Sequence, residues 1–518
     1  MKAAGTVGLV LLATAVGRLP AQQTSAYEEL QAFSGVLNYI RLNYPDTVSY
    51  SRLVHAAIDG VLHALDPHSA FFTRREFERR TALERGELAV TGLALEEVDS
   101  AITVLAVAAR GPAANAGVQP GDRLVSVNDT SVAGLEVHSV ELRLVGDRGS
   151  KVRLQFERGP RLEPDTFRVT IKRDFLERHS VSLVRMVDSV TGYIRLEEFR
   201  AEAAKEVHDA LDRLRGQHMR RAILDLRGNP GGYVLSAVDL ASEFFPRGTV
   251  VFRTRGRQRD VDTTFTTKRD GSYAALPLVV LIDEHSASAA EALSASLQDH
   301  DRALLLGRRS FGKALMQTDF IVMPMQDDLH LTIGYVLSPS GRFIQRRYRG
   351  LAVEQYLAFA GKSGAESDTL AEYHTDAGRL VRGGGGIAPD IALPKPAPLP
   401  VWWSVAADSG FVAAVSDSVA LTFPATPVAR AGWLAAPDRW RATLLPPFLA
   451  RVRARLHVAA QTDSALEGRL APILAARVAE VRWGPDALEE FLVQTSPDVQ
   501  AAMGYFARLP ELLAAPHP

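Results

Sequence analysis

The sequence predicts an α/β multidomain chain: an N-terminal helical segment, a small β-rich domain, an α/β core and a C-terminal helical extension. Three observations carry this. Apolar residues recur at helical spacing near both ends, short alternating runs fill the stretch from Glu87 to Arg173, and strands alternate with helices from there to about Pro394. The expected bounds are 1–21 for a signal peptide, 22–86 for the helical segment, 87–173 for the β-rich domain, 174–395 for the core and 396–518 for the extension.

Bulk properties narrow the function classes. With 518 residues, 47% hydrophobic and 23% charged, the chain can build several cores. Its 59 Lys and Arg nearly cancel its 60 Asp and Glu, so nothing global argues for nucleic acid or an anionic membrane surface as partner. There are no cysteines, which excludes disulfides, a lipid-modified cysteine and a catalytic thiol. Met1-Lys2 precedes an uncharged, mostly apolar or small run from Ala3 to Gly17, shorter than the roughly 20 residues of a spanning helix, and Ala21 offers a small residue for cleavage. A cleaved signal peptide is therefore expected, with a retained anchor as the alternative. No other run is long and apolar enough to span a bilayer, so the expected address is exported, periplasmic or otherwise extracytoplasmic.

The elements follow in order. L-Q-A-F-S-G-V-L-N-Y-I (30–40) and L-V-H-A-A-I-D-G-V-L-H-A-L (53–65) read as two helices, the second stopped by Asp66-Pro67. I-T-V-L-A-V, R-L-V-S-V, K-V-R-L-Q-F and F-R-V-T-I-K read as strands of the small domain, with turns at Pro120-Gly121-Asp122 and Asn128-Asp129. In the core, R-A-I-L-D-L leads into R-G-N-P-G-G and a helix, P-L-V-V-L-I-D leads into a second helix, and A-L-L-L-G and L-T-I-G-Y-V-L-S follow. Such alternation places functional groups at the carboxyl ends of strands. P-A-P-L-P (396–400) reads as a linker, and 439–513 returns to helical spacing.

The chemistry concentrates in D-E-H-S-A-S-A-A-E-A-L, Asp283 to Leu293, at a strand-to-helix junction. There a hydroxyl can stand beside the partial positive charge of a helix start. Ser288-x-x-Glu291 is also a capping box, so Ser288 can be a helix cap and nothing more. Two segments tilt the reading toward a nucleophile. S-F-G-K-A-L-M-Q puts Lys313 just past an apolar strand, where burial would lower its pKa and leave an amine able to take a serine proton, with Gln317 to hold it. D-L-R-G-N-P-G-G supplies a Pro-Gly-Gly turn with uncovered amides, as an oxyanion hole requires, and Ala289 can supply a second amide. His285 raises a competing picture in which histidine activates Ser286 or Ser288.

Taken together, L-D-P-H-S (65–69), D-L-R-G-N-P-G-G (225–232), S-A-S-A-A-E (286–291), S-F-G-K-A-L-M-Q (310–317), S-P-S-G-R-F-I-Q (338–345) and G-G-G-G-I-A-P-D (383–390) run in the order of a known family. The chain resembles the C-terminal processing peptidases, serine peptidases with a Ser/Lys dyad and a PDZ domain, over roughly Gln31 to Pro394. The resemblance implies Ser288 as nucleophile, Lys313 as general base, Gln317 as its support, and the amides of Ala289 and of Gly231, or its neighbour Gly232, as oxyanion donors. It implies an acyl-enzyme mechanism that needs no metal or organic cofactor. His68 in L-D-P-H-S is read as architectural.

Residues 87–173 resemble a PDZ domain, with Gly92, Leu93, Ala94 and Leu95 at its carboxylate-binding loop. That implies capture of the exposed C-terminal tails of protein substrates by strand addition. Three residues depart from the family pattern: Ala94 and Ala314 stand where it has glycine, and Arg308 where it has glutamate. An adaptor protein and a homo-oligomer are left open, as is the role of the extension. The rival reading is a catalytically silent PDZ-containing peptide-binding scaffold.

Overall fold

The computed structural model describes residues 25–84, 89–98, 101–108, 111–135, 137–159, 164–175, 179–351, 355–356 and 371–514. The expected signal peptide lies outside them. Residues 1–64 and 65–518 form two units. In the first, α1 (Ala26–Asn43) opens with a capping box between Ser25 and Glu28, and α2 begins at Tyr50. In the second, α2 ends at Leu65, where the proline forces the stop, and the Asp66 carboxylate then accepts from the amides of His68 and Ser69 at 2.8 Å each. A short strand β1 (Ala70–Phe72) and a helix α3 (Arg74–Glu84) follow.

The small domain is an antiparallel sheet of β2 (Leu93–Val98), β3 (Ala101–Val107), β4 (Arg123–Val127), β5 (Thr130–Ser131), β6 (Lys151–Arg158) and β7 (Asp165–Lys172). It carries the short helices α4 (Pro112–Asn115) and α5 (Val137–Leu144). Its own core includes Val104, Leu124, Val140, Leu154 and Phe156. β2 is an edge strand, and α5 packs beside it.

The site is built on a six-stranded sheet ordered β19-β14-β13-β10-β9-β8. Its members are β8 (Val181–Met186), β9 (Thr191–Leu196), β10 (Arg221–Asp225), β13 (Leu278–Ile282), β14 (Leu304–Gly307) and β19 (Ile391–Ala392). All pairings from β9 to β19 are parallel, so the loops after β9, β10, β13 and β14 emerge along one edge. A second sheet contains β1, β11 (Val250–Gly256), β12 (Thr263–Thr266), β15 (Leu315–Val322) and β16 (Asp327–Leu337).

Period-two alternation splits the parallel strands into two apolar faces. Ile194, Leu224, Val280, Ile282 and Leu305 face a core shared with α6 (Ala203–Gly216), α7 (Val234–Ala241) and α8 (Ala289–Asp299). Tyr193, Ile223, Val279, Leu281, Leu304 and Leu306 face the other way, onto Val493, Val499, Ala502, Phe506, Leu509 and Leu512 of the C-terminal extension. The extension, helical from Val401 to Ala514, thus has two jobs. It has a core of its own around Trp433, Leu444, Phe448 and Leu474, and it covers one face of the sheet that carries the site. Phe506→Ala is expected to cost about 3–5 kcal/mol, the usual toll of an aromatic ring lost from a core. An unchanged thermal unfolding midpoint by calorimetry would show that this face does not need the extension.

Candidate active site

β13 delivers the chain to a turn that only one of its two serines leaves open. The Ser286 hydroxyl is fully buried, donates to the Leu226 carbonyl at 2.7 Å and accepts from the Asp283 amide at 2.9 Å. It is a strut between the loops after β10 and β13. Ser288 is partly exposed and stands at φ +54°, ψ −114°, a backbone state costly for a side chain with a Cβ. That sharp strand-to-helix turn thrusts its hydroxyl outward. Ser288 and Glu291 do form the capping box in outline, with the Ser288 amide donating to Glu291 Oε2 at 2.9 Å, but the Ser288 hydroxyl takes no full cap hydrogen bond. His285 is exposed, and among the described residues its ring bonds neither serine.

Glu291, wholly buried in the first turn of α8, does more than cap. Its Oε2 also accepts from the Lys313 amide at 2.8 Å, and its Oε1 from the Gly312 amide at 2.6 Å and the Ser310 hydroxyl. One carboxylate oxygen therefore holds the main chain of both Ser288 and Lys313. Burial pushes the Glu291 carboxyl up to about 7, against the pull of the four donors. Burial also lowers the Lys313 ammonium below the ordinary lysine value, with Glu291 acting the other way. Among the described residues Lys313 Nζ and Ser288 Oγ are not hydrogen-bonded to each other.

The Pro230-Gly231-Gly232 turn lies directly against this junction. A Cβ built on Gly231, whose φ is +98°, would fall 2.7 Å from Ser288 Cβ and 2.9 Å from the Ala289 nitrogen, so only glycine fits. The three expected donors differ in their resting bonds. The Gly231 amide donates to Asn229 Oδ1 at 2.8 Å and is already taken, whereas among the described residues the amides of Gly232 and Ala289 have no acceptor. Asn229 is itself buried. Its side chain donates to the Leu196 carbonyl at 2.8 Å and its carbonyl accepts from the Ala287 amide at 2.9 Å, tying three loops together.

Gln317 lies on β15, next to a register shift, and its Nε2 donates to Thr332 Oγ1 at 3.0 Å rather than to Lys313. Thr332 Oγ1 in turn donates to Asp66 Oδ1 at 3.1 Å. The L-D-P-H-S turn thus steadies Gln317 from behind. His68, from the same turn, meets the Tyr356 hydroxyl at 3.0 Å, and burial, then the charge of Lys313, pulls its imidazole down to about 4. Tyr356 accepts from Gln345, whose Oε1 accepts from the Ala314 amide at 2.7 Å, so a second path ends beside Lys313. The methyl of Ala314 is buried in the main core.

In the small domain, Gly92 turns at φ +84° into β2, and Leu93, Ala94 and Leu95 form the start of that edge strand. Ala94 is exposed at a bulge facing β3. Glu291 was legible in the sequence only as a cap. The bonding of Asn229 carried a weak signal, an Asx residue two positions before a glycine. The pairing of His68 with Tyr356 carried none.

Comparison with known proteins agrees with this architecture. Residues 190–357 match the family model described as Peptidase family S41, and residues 103–158 match that of a PDZ domain. A carboxy-terminal-processing protease of Bartonella bacilliformis is 28% identical over 346 residues, covering 66% of this chain and 77% of that one. The carboxy-terminal processing protease CtpA of Bacillus subtilis is 29% identical over 312 residues, covering 60% and 65%. A carboxyl-terminal-processing protease of Synechocystis is 33% identical over 273 residues, covering 51% and 62%. The matches to the last two thus span slightly less than two thirds of those relatives. With a PDZ sheet ahead of a parallel sheet whose carboxyl edge bears the Ser288 turn, the chain carries a Peptidase family S41 domain and a PDZ domain, is similar to carboxy-terminal processing proteases, and is a serine-type peptidase.

Proposed function

We propose that this chain is an exported serine endopeptidase that takes the C-terminal tails of protein substrates on its PDZ domain and cleaves them with a Ser288/Lys313 dyad. The observation that carries the reading is the shared Glu291 oxygen, which binds the main chain of both residues and fixes the two loops to one point. Lys313, lowered by burial, takes the proton of Ser288, whose oxygen attacks the peptide carbonyl. The amide of Ala289, with that of Gly232 or a Gly231 released from Asn229, would bind the developing oxyanion. Lys313 then returns the proton to the leaving amine, and water, deprotonated by Lys313, hydrolyses the acyl-enzyme. Edge strand β2 with α5 beside it is the arrangement that strand addition of a tail needs. Residues 1–21 would direct the export.

A second reading, the silent scaffold, draws on the Ser288 and Lys313 side chains, which among the described residues do not hydrogen-bond to each other, and on the occupied Gly231 amide. Hydrolysis of an unfolded protein with an apolar C-terminus decides between them. Wild type is expected to cut, and Ser288→Ala and Lys313→Ala are expected to be inert. A wild type that binds the tail without cutting would favour the scaffold, and cutting by Ser288→Ala would remove the proposed nucleophile.

Two further outcomes follow from the geometry. Gly231→Ala is expected to lower kcat by about 100-fold or more, the scale of a lost oxyanion donor, because its methyl cannot sit beside Ser288. Wild-type kcat in that variant would show that the turn is remote from the chemistry. A lysine whose folded pKa is depressed destabilises the fold below its unfolded pKa, and the penalty fades as pH rises. Lys313→Met is therefore expected to raise the unfolding midpoint at pH 7, with the gain shrinking toward pH 10, while wild-type activity rises through an apparent pKa below the ordinary 10.5. A pH-independent difference in midpoint would contradict a buried, readily neutralised amine.

A further inference from the structure

The extension beyond Pro396 matches neither family model, yet it reaches the loops of the site. Helix Pro497–Tyr505 begins over the carboxyl edge of the parallel sheet. Asp498, in its first turn, accepts on one oxygen, Oδ2, from Arg227 Nη1 at 2.8 Å and from Arg308 Nη1 at 3.1 Å. These two arginines belong to different catalytic loops. Arg227 opens the segment that ends in the Pro-Gly-Gly turn, and its other edge is clamped by the buried Asp225, which also accepts from the Tyr193 hydroxyl at 2.6 Å. Arg308 follows β14 and stands five residues before Lys313. Its Nε donates to Glu284 Oε2 at 3.0 Å, in the loop that carries Ser288, and Glu284 is held in turn by Lys395 at 2.6 Å.

The chain of charges therefore crosses the loops after β10, β13 and β14, and among the described residues its one member from beyond Lys395 is Asp498. All its central groups are largely withdrawn from water, with side-chain exposures of 19% for Arg227, 18% for Arg308, 13% for Asp498 and 11% for Glu284. Two guanidinium groups converging in such a place repel unless an anion lies between them. Arg308 is also the position whose positive charge departs from the family pattern. Besides Glu284, it pairs with a carboxylate 190 residues away, in the extension.

We infer that Asp498 is a positioning residue for catalysis, and that the C-terminal extension is a working part of the peptidase site through it. By bridging Arg227 and Arg308, Asp498 holds the oxyanion turn and the Lys313 loop at a fixed separation from Ser288. A displacement of about 1 Å in such a constellation can cost on the order of 100-fold in rate.

The inference rests on Ser288 being the nucleophile, and the test separates the two. Full-length wild type, Ser288→Ala, Asp498→Asn, Asp498→Glu and Arg308→Gln are compared well below their unfolding midpoints. Two readouts are used: kcat and KM on an unfolded protein substrate, and the rate at which a fluorophosphonate labels Ser288. Asp498→Asn and Arg308→Gln are expected to lower both kcat and the labelling rate by about 10- to 100-fold with KM within about 2-fold, and Asp498→Glu to recover most of the rate. Wild-type kcat and labelling in a folded Asp498→Asn, even with a reduced midpoint, would overturn the inference by making the contact merely structural. Should Asp498→Asn fail to fold, a fully active Arg308→Gln would overturn it equally. A wild type inert to both substrate and probe would bring down the dyad itself, and this inference with it.

Discussion

The Glu291 carboxylate is where the requirements of folding and chemistry meet. Two oxygens buried from solvent offer about four lone-pair positions, and four donors fill them: the amides of Ser288, Gly312 and Lys313 and the hydroxyl of Ser310. Each of those donors would be costly to bury unpaired, and the carboxylate would be costly to bury without them. The helix start and the lysine loop therefore order as one event. Because the bonds reach the main chain, the positions of Ser288 and Lys313 are fixed before their side chains interact. That leaves the hydroxyl and amine of the proposed dyad free of structural duties, which Ser286 and Ser310 perform instead.

The parallel sheet explains why such a junction can exist. Strands buried on both faces need no solvent-facing residues, so β13 reads L-V-V-L-I without a break and is fully buried from Leu278 to Ile282. All polarity is deferred to the loop at its carboxyl end. There Asp283, Glu284, Ser286 and Ser288 crowd together, and the amides freed by the strand ends and helix starts provide the donors. The cost is that both faces must be covered, and α6 to α8 cover only one.

Much of this was legible in the residues. The stop at Asp66-Pro67, the strand into Asp283 and the helix from Ala289 are local matters, dictated by proline sterics and apolar runs. The spacing of Ser288, Lys313 and the Pro-Gly-Gly turn was legible because each occupies a strand end. What the residues could not reveal depends on contacts far apart in sequence. Ser286 and Ser288 are indistinguishable until Leu226 claims one hydroxyl. Gly231 reads as an open donor until the fold brings Asn229 Oδ1 to its amide. The extension announced helices by its periodicity, but not that Val499, Phe506 and Leu509 match a bare sheet face, nor that Asp498 answers Arg308.

That sheet face also sets an order in time. Val493 to Leu512 leave the ribosome after every residue of the dyad, the oxyanion turn and the PDZ domain. Until they arrive, Ile223, Val279, Leu281 and Leu306 lack the apolar cover of that segment, and Arg227 and Arg308 have no shared anion. A nascent chain therefore carries the proposed site residues before the segment that covers their sheet. If Ser288 and Lys313 act as proposed, a chain that lacks its last helices holds them without the apolar cover and the shared anion of the finished fold.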